Sequence, residues 1–145
     1  MSTAEPLRAA IDTYAKALES ADAASVDGLM DLCGETVEFR DPFNHTFTKP
    51  AFRHILEHMF KTVQGLKFEV HNIIGSDRLW VLKWTFTGTI KPVGKVEIVG
   101  LTEVALNEQG HVIRHIDYWD SGTEIFSKMP VLGPVIRLIR SRASA

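Results

Sequence analysis

The spacing of apolar residues changes once along this chain, from a helical period to a strand period. Leu7, Ile11, Tyr14, Ala15 and Leu18 recur as one face of a helix over residues 4–20. Ser2 or Thr3 stands where a cap belongs, and Glu5 and Pro6 suit a first turn. Asp22 is expected to open a second helix, with Val26, Leu29, Met30 and Cys33 on its apolar face and Gly34 at its end. A short strand over 37–41 runs up to Pro42. A third helix over about 50–63 carries Phe52, Ile55, Leu56, Met59, Phe60 and Val63 as its inward stripe, and Gly65 closes it.

Beyond Gly65 the period is two. Phe68, Val70, Asn72 and Ile74 alternate with Lys67, Glu69, His71 and Ile73, and Trp80, Leu82, Trp84 and Phe86 alternate with Val81, Lys83, Thr85 and Thr87. The KPVG at 91–94 reads as a turn, residues 95–106 as a strand, NEQG at 107–110 as a second turn and 111–119 as the last strand. The tail, 122–145, holds a short helical piece, a joint marked by Pro130, Gly133 and Pro134, and a short amphipathic helix. Helices first and antiparallel strands after define an α+β class. To bury the helix stripes the sheet must curl, so the expected architecture is a cone-shaped curved antiparallel sheet closed by three N-terminal helices. The cone spans residues 1–121, with the tail as a separate appendage.

Composition narrows the setting. The 145 residues fit one domain, 45% of them hydrophobic and 23% charged, with a net charge of −2 that offers no broad basic field for nucleic acid. The lone Cys33 excludes an internal disulfide, no secretory signal is visible, and no apolar run reaches the roughly 20 residues that cross a bilayer. A small soluble cytoplasmic domain is the expectation.

The order of elements and several local stretches resemble the nuclear transport factor 2-like superfamily, which includes ketosteroid isomerases and SnoaL-type polyketide cyclases. The likeness covers about residues 5–120 and is closest to ketosteroid isomerase. IDTYAKALESAD is similar to that family's first helix, whose tyrosine donates to the substrate oxygen, and the matching residue is Tyr14. VEFRDPFN is similar to its Asp-Pro strand end, whose aspartate is the general base, here Asp41. In GLTEVALNEQGHVI the position of the family's second, protonated acid falls on Thr102. HIDYWDSG resembles the cyclase branch, where an acid on the last strand faces the cavity. On this match strand parity places His115, Asp117 and Trp119 inside and Arg114, Ile116 and Tyr118 outside, and a slip of one residue would reverse it. The resemblance implies a cofactor-independent isomerase-like or cyclase-like protein, or a non-catalytic ligand-binding or dimerisation module of the same cystatin-like roll. No metal or organic cofactor is implied.

Each candidate residue carries two readings. Asp41, set between Phe39 and Phe43, is either a turn-former at a strand mouth or a base in an apolar pocket. Tyr14 is either a core phenol bonded within the protein or a donor aimed at a ligand carbonyl. His115 and Asp117 form either a closed network with Tyr14 or a proton-transfer site, with Asn72 and Thr102 as further polar contacts. Trp84, Phe86, Trp119 and Phe43 are core aromatics or the walls of a site for a small apolar, carbonyl-containing molecule. His54 and His58 lie at helical i, i+4 spacing opposite the apolar stripe and read as a solvated face. The tail helix packs on the body or a dimer mate, closes the mouth as a lid, or touches a membrane surface. Apolar residues on the sheet's outer face (Ile73, Val81, Val99 and Leu101) lead to an expected homodimer, with neither nucleic acid nor a membrane as the main partner.

Overall fold

The computed structural model describes residues 4–130 and 132–144. The cap expected at Ser2 or Thr3 lies outside the described residues. Helix α1, Ala4–Glu19, buries Leu7, Ile11, Tyr14, Ala15 and Leu18, the stripe its sequence spacing specifies. Helix α2, Val26–Asp31, is shorter than expected. Asp22 does not open it. Instead its carboxylate accepts from the backbone of Ala24 and Ser25 in the preceding turn. Cys33 and Gly34 belong not to this helix but to strand β1, Cys33–Arg40. Cys33 is buried all the same, and burial pushes its thiol up to about 12.

Strand β2, His45–Thr48, is an element the sequence period did not disclose, being short and mostly exposed. It pairs with β1, where His45 and Arg114 both reach Glu38, at 2.9 and 3.1 Å. Helix α3, Lys49–Thr62, follows at once, with the Thr48 hydroxyl accepting from Ala51 N at its start. It ends before Gly65, which adopts a left-handed φ of 63° inside the next strand.

Strands β3, Val63–Ser76, β4, Leu79–Ile90, β5, Gly94–Leu106, and β6, Val112–Tyr118, form the expected antiparallel meander. The sheet order is β2-β1-β6-β5-β4-β3, and β1 lies parallel to β6. That pairing puts the end of β1, before Asp41, beside His115 and Ile116 of β6. After β6 come α4, Ser121–Glu124, a 3-10 turn, Phe126–Lys128, and α5, Leu132–Ala143. Helices α1, α2 and α3 close the concave side of the curled sheet, and the core lies between them, as the α+β cone requires.

One parity expectation fails. Val70 pairs with Trp84 and Asn72 with Lys83, so β3 holds one residue more than its partner at His71. The bulge flips every later side chain to the other face. Ile73 therefore packs against the core and Ile74 is 63% exposed, the reverse of the expectation. Asn72, expected at the cavity, is exposed and outside its lining.

Candidate functional site

Between the helices and the concave sheet lies a cavity of about 300 Å³. Its walls are largely aromatic and aliphatic, with Phe39, Phe68, Trp84 and Phe86 on the sheet and Met59 and Phe60 on α3. Phe43, Trp119 and Ile125 also line it. The Phe43 ring meets Trp119 edge-on at 5.6 Å and Phe126 at 5.7 Å, so the segment after β6 packs onto the Phe43–Trp119 side of the cavity.

The polar residues of the last strand sit where parity puts them. His115 and Asp117 line the cavity, and Trp119 follows on the same face. Ile116, on the opposite face, is also buried, at 3% exposure, where solvent was expected.

These residues form a directed chain of hydrogen bonds. Burial first, then the charges of Cys33 and Asp117, push the Tyr14 phenol well above its ordinary value, so it is un-ionised and its O–H is a donor. Tyr14 Oη lies 2.8 Å from His115 Nδ1, and His115 Nε2 lies 3.0 Å from Asp117 Oδ1. A phenol donating to Nδ1 leaves the proton of the neutral imidazole on Nε2, aimed at the carboxylate. The Thr102 hydroxyl donates to the same Oδ1 at 2.5 Å, and Trp84 Nε1–H donates to Thr102 at 2.7 Å. Every proton in the chain has one acceptor.

The chain ends on one oxygen and leaves the other open. Among the described residues Asp117 Oδ2 accepts no hydrogen bond, and the Asp117 side chain remains 19% exposed. Among the described residues the buried side-chain polar atom without a partner is Thr46 Oγ1, so Asp117 Oδ2 is not sealed away. The same holds for Trp119 Nε1, two residues along the strand.

Asp41 also lines the cavity, but its carboxylate shapes a turn. Oδ1 accepts from Phe43 N at 2.8 Å, Asn44 N at 2.6 Å and Asn44 Nδ2 at 3.1 Å. Tyr14 and Thr102 are fully buried and absent from the cavity lining. They hold His115 and Asp117 from behind. His58, read from the sequence as a solvated face, is exposed and also lines the cavity.

Two contributors were not among the expected site residues, although Phe52 was expected on the inward stripe of the third helix. Phe52 of α3 is fully buried, stacks on Phe39 at 4.7 Å and lies 5.4 Å from the His115 ring, so it backs the imidazole. Gly100 pairs with Trp84 across β4 and β5, and a Cβ there would overlap the indole ring. Only a residue without a side chain lets Trp84 lie flat across β5 and reach Thr102. Gly100→Ala is therefore expected to cost about 1–3 kcal/mol through overpacking. It should also shift the Trp84 indole N–H resonance in a proton–nitrogen NMR spectrum, whereas Gly28→Ala, where a Cβ meets nothing, should leave it in place.

With fold and site in view, the class is that of cone-shaped α+β domains carrying a polar cluster on an apolar internal cavity. The chain belongs to the SnoaL-like domain family, whose pattern matches residues 11–115. No curated protein matches it. Among solved structures it is similar to a Mycobacterium tuberculosis epoxide hydrolase of the LEH-like type, with a TM-score of 0.68 at 16% identity, covering 96% of this chain and 99% of the other. It is also similar to SalBIII, an epoxide hydrolase/cyclase-like enzyme of pyran ring formation in the polyether salinomycin, with a TM-score of 0.67 at 15% identity over 80% and 92% of the chains. A protein of ketosteroid isomerase-like fold from Catenulispora acidiphila, in complex with trimethylamine, gives a TM-score of 0.69 at 8% identity over 82% and 90%. At such identities the likeness is one of fold. Among the described residues no helix is long and apolar enough to cross a membrane.

Proposed function

We propose that the cavity binds a small, largely apolar carbonyl compound and that Asp117 moves a proton at the carbon next to the carbonyl. The observation that carries this reading is the asymmetry of Asp117, with Oδ1 fixed by Thr102 and His115 and Oδ2 open. A base held by its rear oxygen keeps its front oxygen in one place, which is what proton transfer requires. Oδ2 takes the proton from carbon, the bonding pair moves onto the carbonyl oxygen, and an enolate results. Returning the proton at another carbon isomerises the substrate, while attack of the enolate carbon on a second carbonyl closes a ring, the alkoxide so formed taking the proton back from Asp117. Trp119, which lines the cavity and whose Nε1–H has no partner among the described residues, supplies a donor for the enolate oxygen. Tyr14 is then a positioning residue, because its hydroxyl is engaged by His115. Asp41 keeps the turn beside Phe43.

The open oxygen can equally take a proton from water, and of the similar folds one belongs to an epoxide hydrolase and one to an epoxide hydrolase/cyclase-like enzyme. Hydrolysis of an epoxide in the same cavity is the second reading. The test is turnover of a β-diketone and of an apolar epoxide by the parent, by Asp117→Asn and by Asp41→Asn. Binding without turnover of either probe would leave a non-catalytic ligand carrier.

On the same reading the chain pairs with a second copy through the outer face of its sheet. Val99 and Leu101 of β5, Tyr118 of β6 and Ile74 of β3 stand there 43–63% exposed, and cross-strand pairing makes Leu101 and Tyr118 neighbours. Covering such a face removes apolar area from water. Sedimentation velocity is expected to give a dimer at micromolar concentration and a monomer for Leu101→Lys; a monomeric parent would refute the pairing.

A further inference from the structure

The cavity lining contains no lysine and no arginine among the described residues. Its carboxylates are Asp41 and Asp117. The Asp41 charge is met by three N–H donors. Asp117 is met on Oδ1 by Thr102 and His115, and among the described residues Oδ2 is left without a donor. Around it stand the rings of Phe39, Phe68, Trp84, Phe86 and Trp119, whose faces carry negative partial charge. An anionic ligand entering here meets a carboxylate and gives up its water with no lysine or arginine to replace it; of the two lining histidines, His115 is already engaged by Tyr14 and Asp117 and His58 stands exposed. A cation meets an open acceptor and aromatic faces.

We infer that the cavity selects hydrophobic amines in their protonated form, the ammonium N–H donating to Asp117 Oδ2 and the apolar body lying against the aromatic walls. This rests on the reading of the cavity as a site for small apolar molecules, and it adds the charge of the ligand. Because the ammonium occupies the oxygen assigned to proton transfer, such an amine also blocks any reaction that uses it.

Three probes of one shape separate the possibilities. They are N,N-dimethylbenzylamine, protonated at neutral pH, its uncharged isostere isobutylbenzene, and the anion phenylacetate. Binding is read from the tryptophan emission, since Trp84 and Trp119 line the cavity. The amine is expected to bind about tenfold more tightly than isobutylbenzene, the size of one charge-assisted hydrogen bond less its desolvation, and phenylacetate more weakly than either. Asp117→Asn is expected to remove the amine's advantage while isobutylbenzene binds as before. Equal binding of amine and isostere by the parent would overturn the inference and leave the apolar cavity standing. Failure of all three probes would overturn both. An advantage that survives Asp117→Asn and disappears in Asp41→Asn would place the charge at the turn and overturn the assignment to Asp117. The ranking in the parent protein decides the ligand class even if a variant fails to fold.

Discussion

Asp117→Asn is expected to lower turnover of a β-diketone probe by about 10²–10⁴-fold, the range a placed general base contributes, with ligand affinity nearly unchanged. The amide has the shape of the carboxylate, so Thr102 can still donate to its oxygen and the cavity keeps its volume. What is lost is the basic Oδ2, the part of Asp117 that the network leaves unbonded. Asp41→Asn should act differently. Its Oδ1 serves as an acceptor for Phe43 N, Asn44 N and Asn44 Nδ2, and an amide oxygen still accepts. Turnover in that variant should stay within a few-fold of the parent. Steady-state kinetics on the two variants settles the assignment. Should Asp41→Asn prove inactive and Asp117→Asn active, the base is the aspartate that the ketosteroid isomerase resemblance indicates.

Phe52→Ala is expected to cost about 3–5 kcal/mol, the usual penalty for emptying a buried aromatic position. That is a large share of the roughly 5–15 kcal/mol by which a domain is stable. Phe52 is fully buried, its ring lies 20° from parallel to Phe39, and it touches the His115 side of the relay. Removing it withdraws packing from α3, β1 and β6 at once. In urea the midpoint should fall with the slope unchanged. Phe43→Ala makes a sharp comparison, since Phe43 is 53% exposed and meets Trp119 and Phe126 edge-on. If the two variants unfold at the same midpoint, Phe52 is not part of a close-packed core.

The helices, the meander and the inward face of each regular strand were legible in the sequence, because apolar spacing alone decides which side of an element avoids water. The stripe of α1 and the Trp80, Leu82, Trp84 face of β4 follow from period, and the inward pair His115 and Asp117 from strand parity on the family resemblance. Other features depended on contacts between elements. The bulge at His71 is a single unpaired residue with no mark in the hydrophobic pattern, yet it moves Asn72 away from the cavity and exchanges Ile73 with Ile74. Cys33 continues a helical stripe in sequence but starts a strand, because pairing with Val112 of β6 offers its backbone more than another helical turn. The short strand β2 is visible only against β1. The division of labour between the aspartates is of the same kind. Sequence offered Asp41, and after it Asp117, as candidate bases, while the fold engages both oxygens of Asp41 in a turn and, among the described residues, leaves Asp117 Oδ2 without a donor. A hydrogen bond depends on which groups meet through space, and residues as far apart in the chain as Tyr14 and His115 meet only after the sheet has curled around the helix.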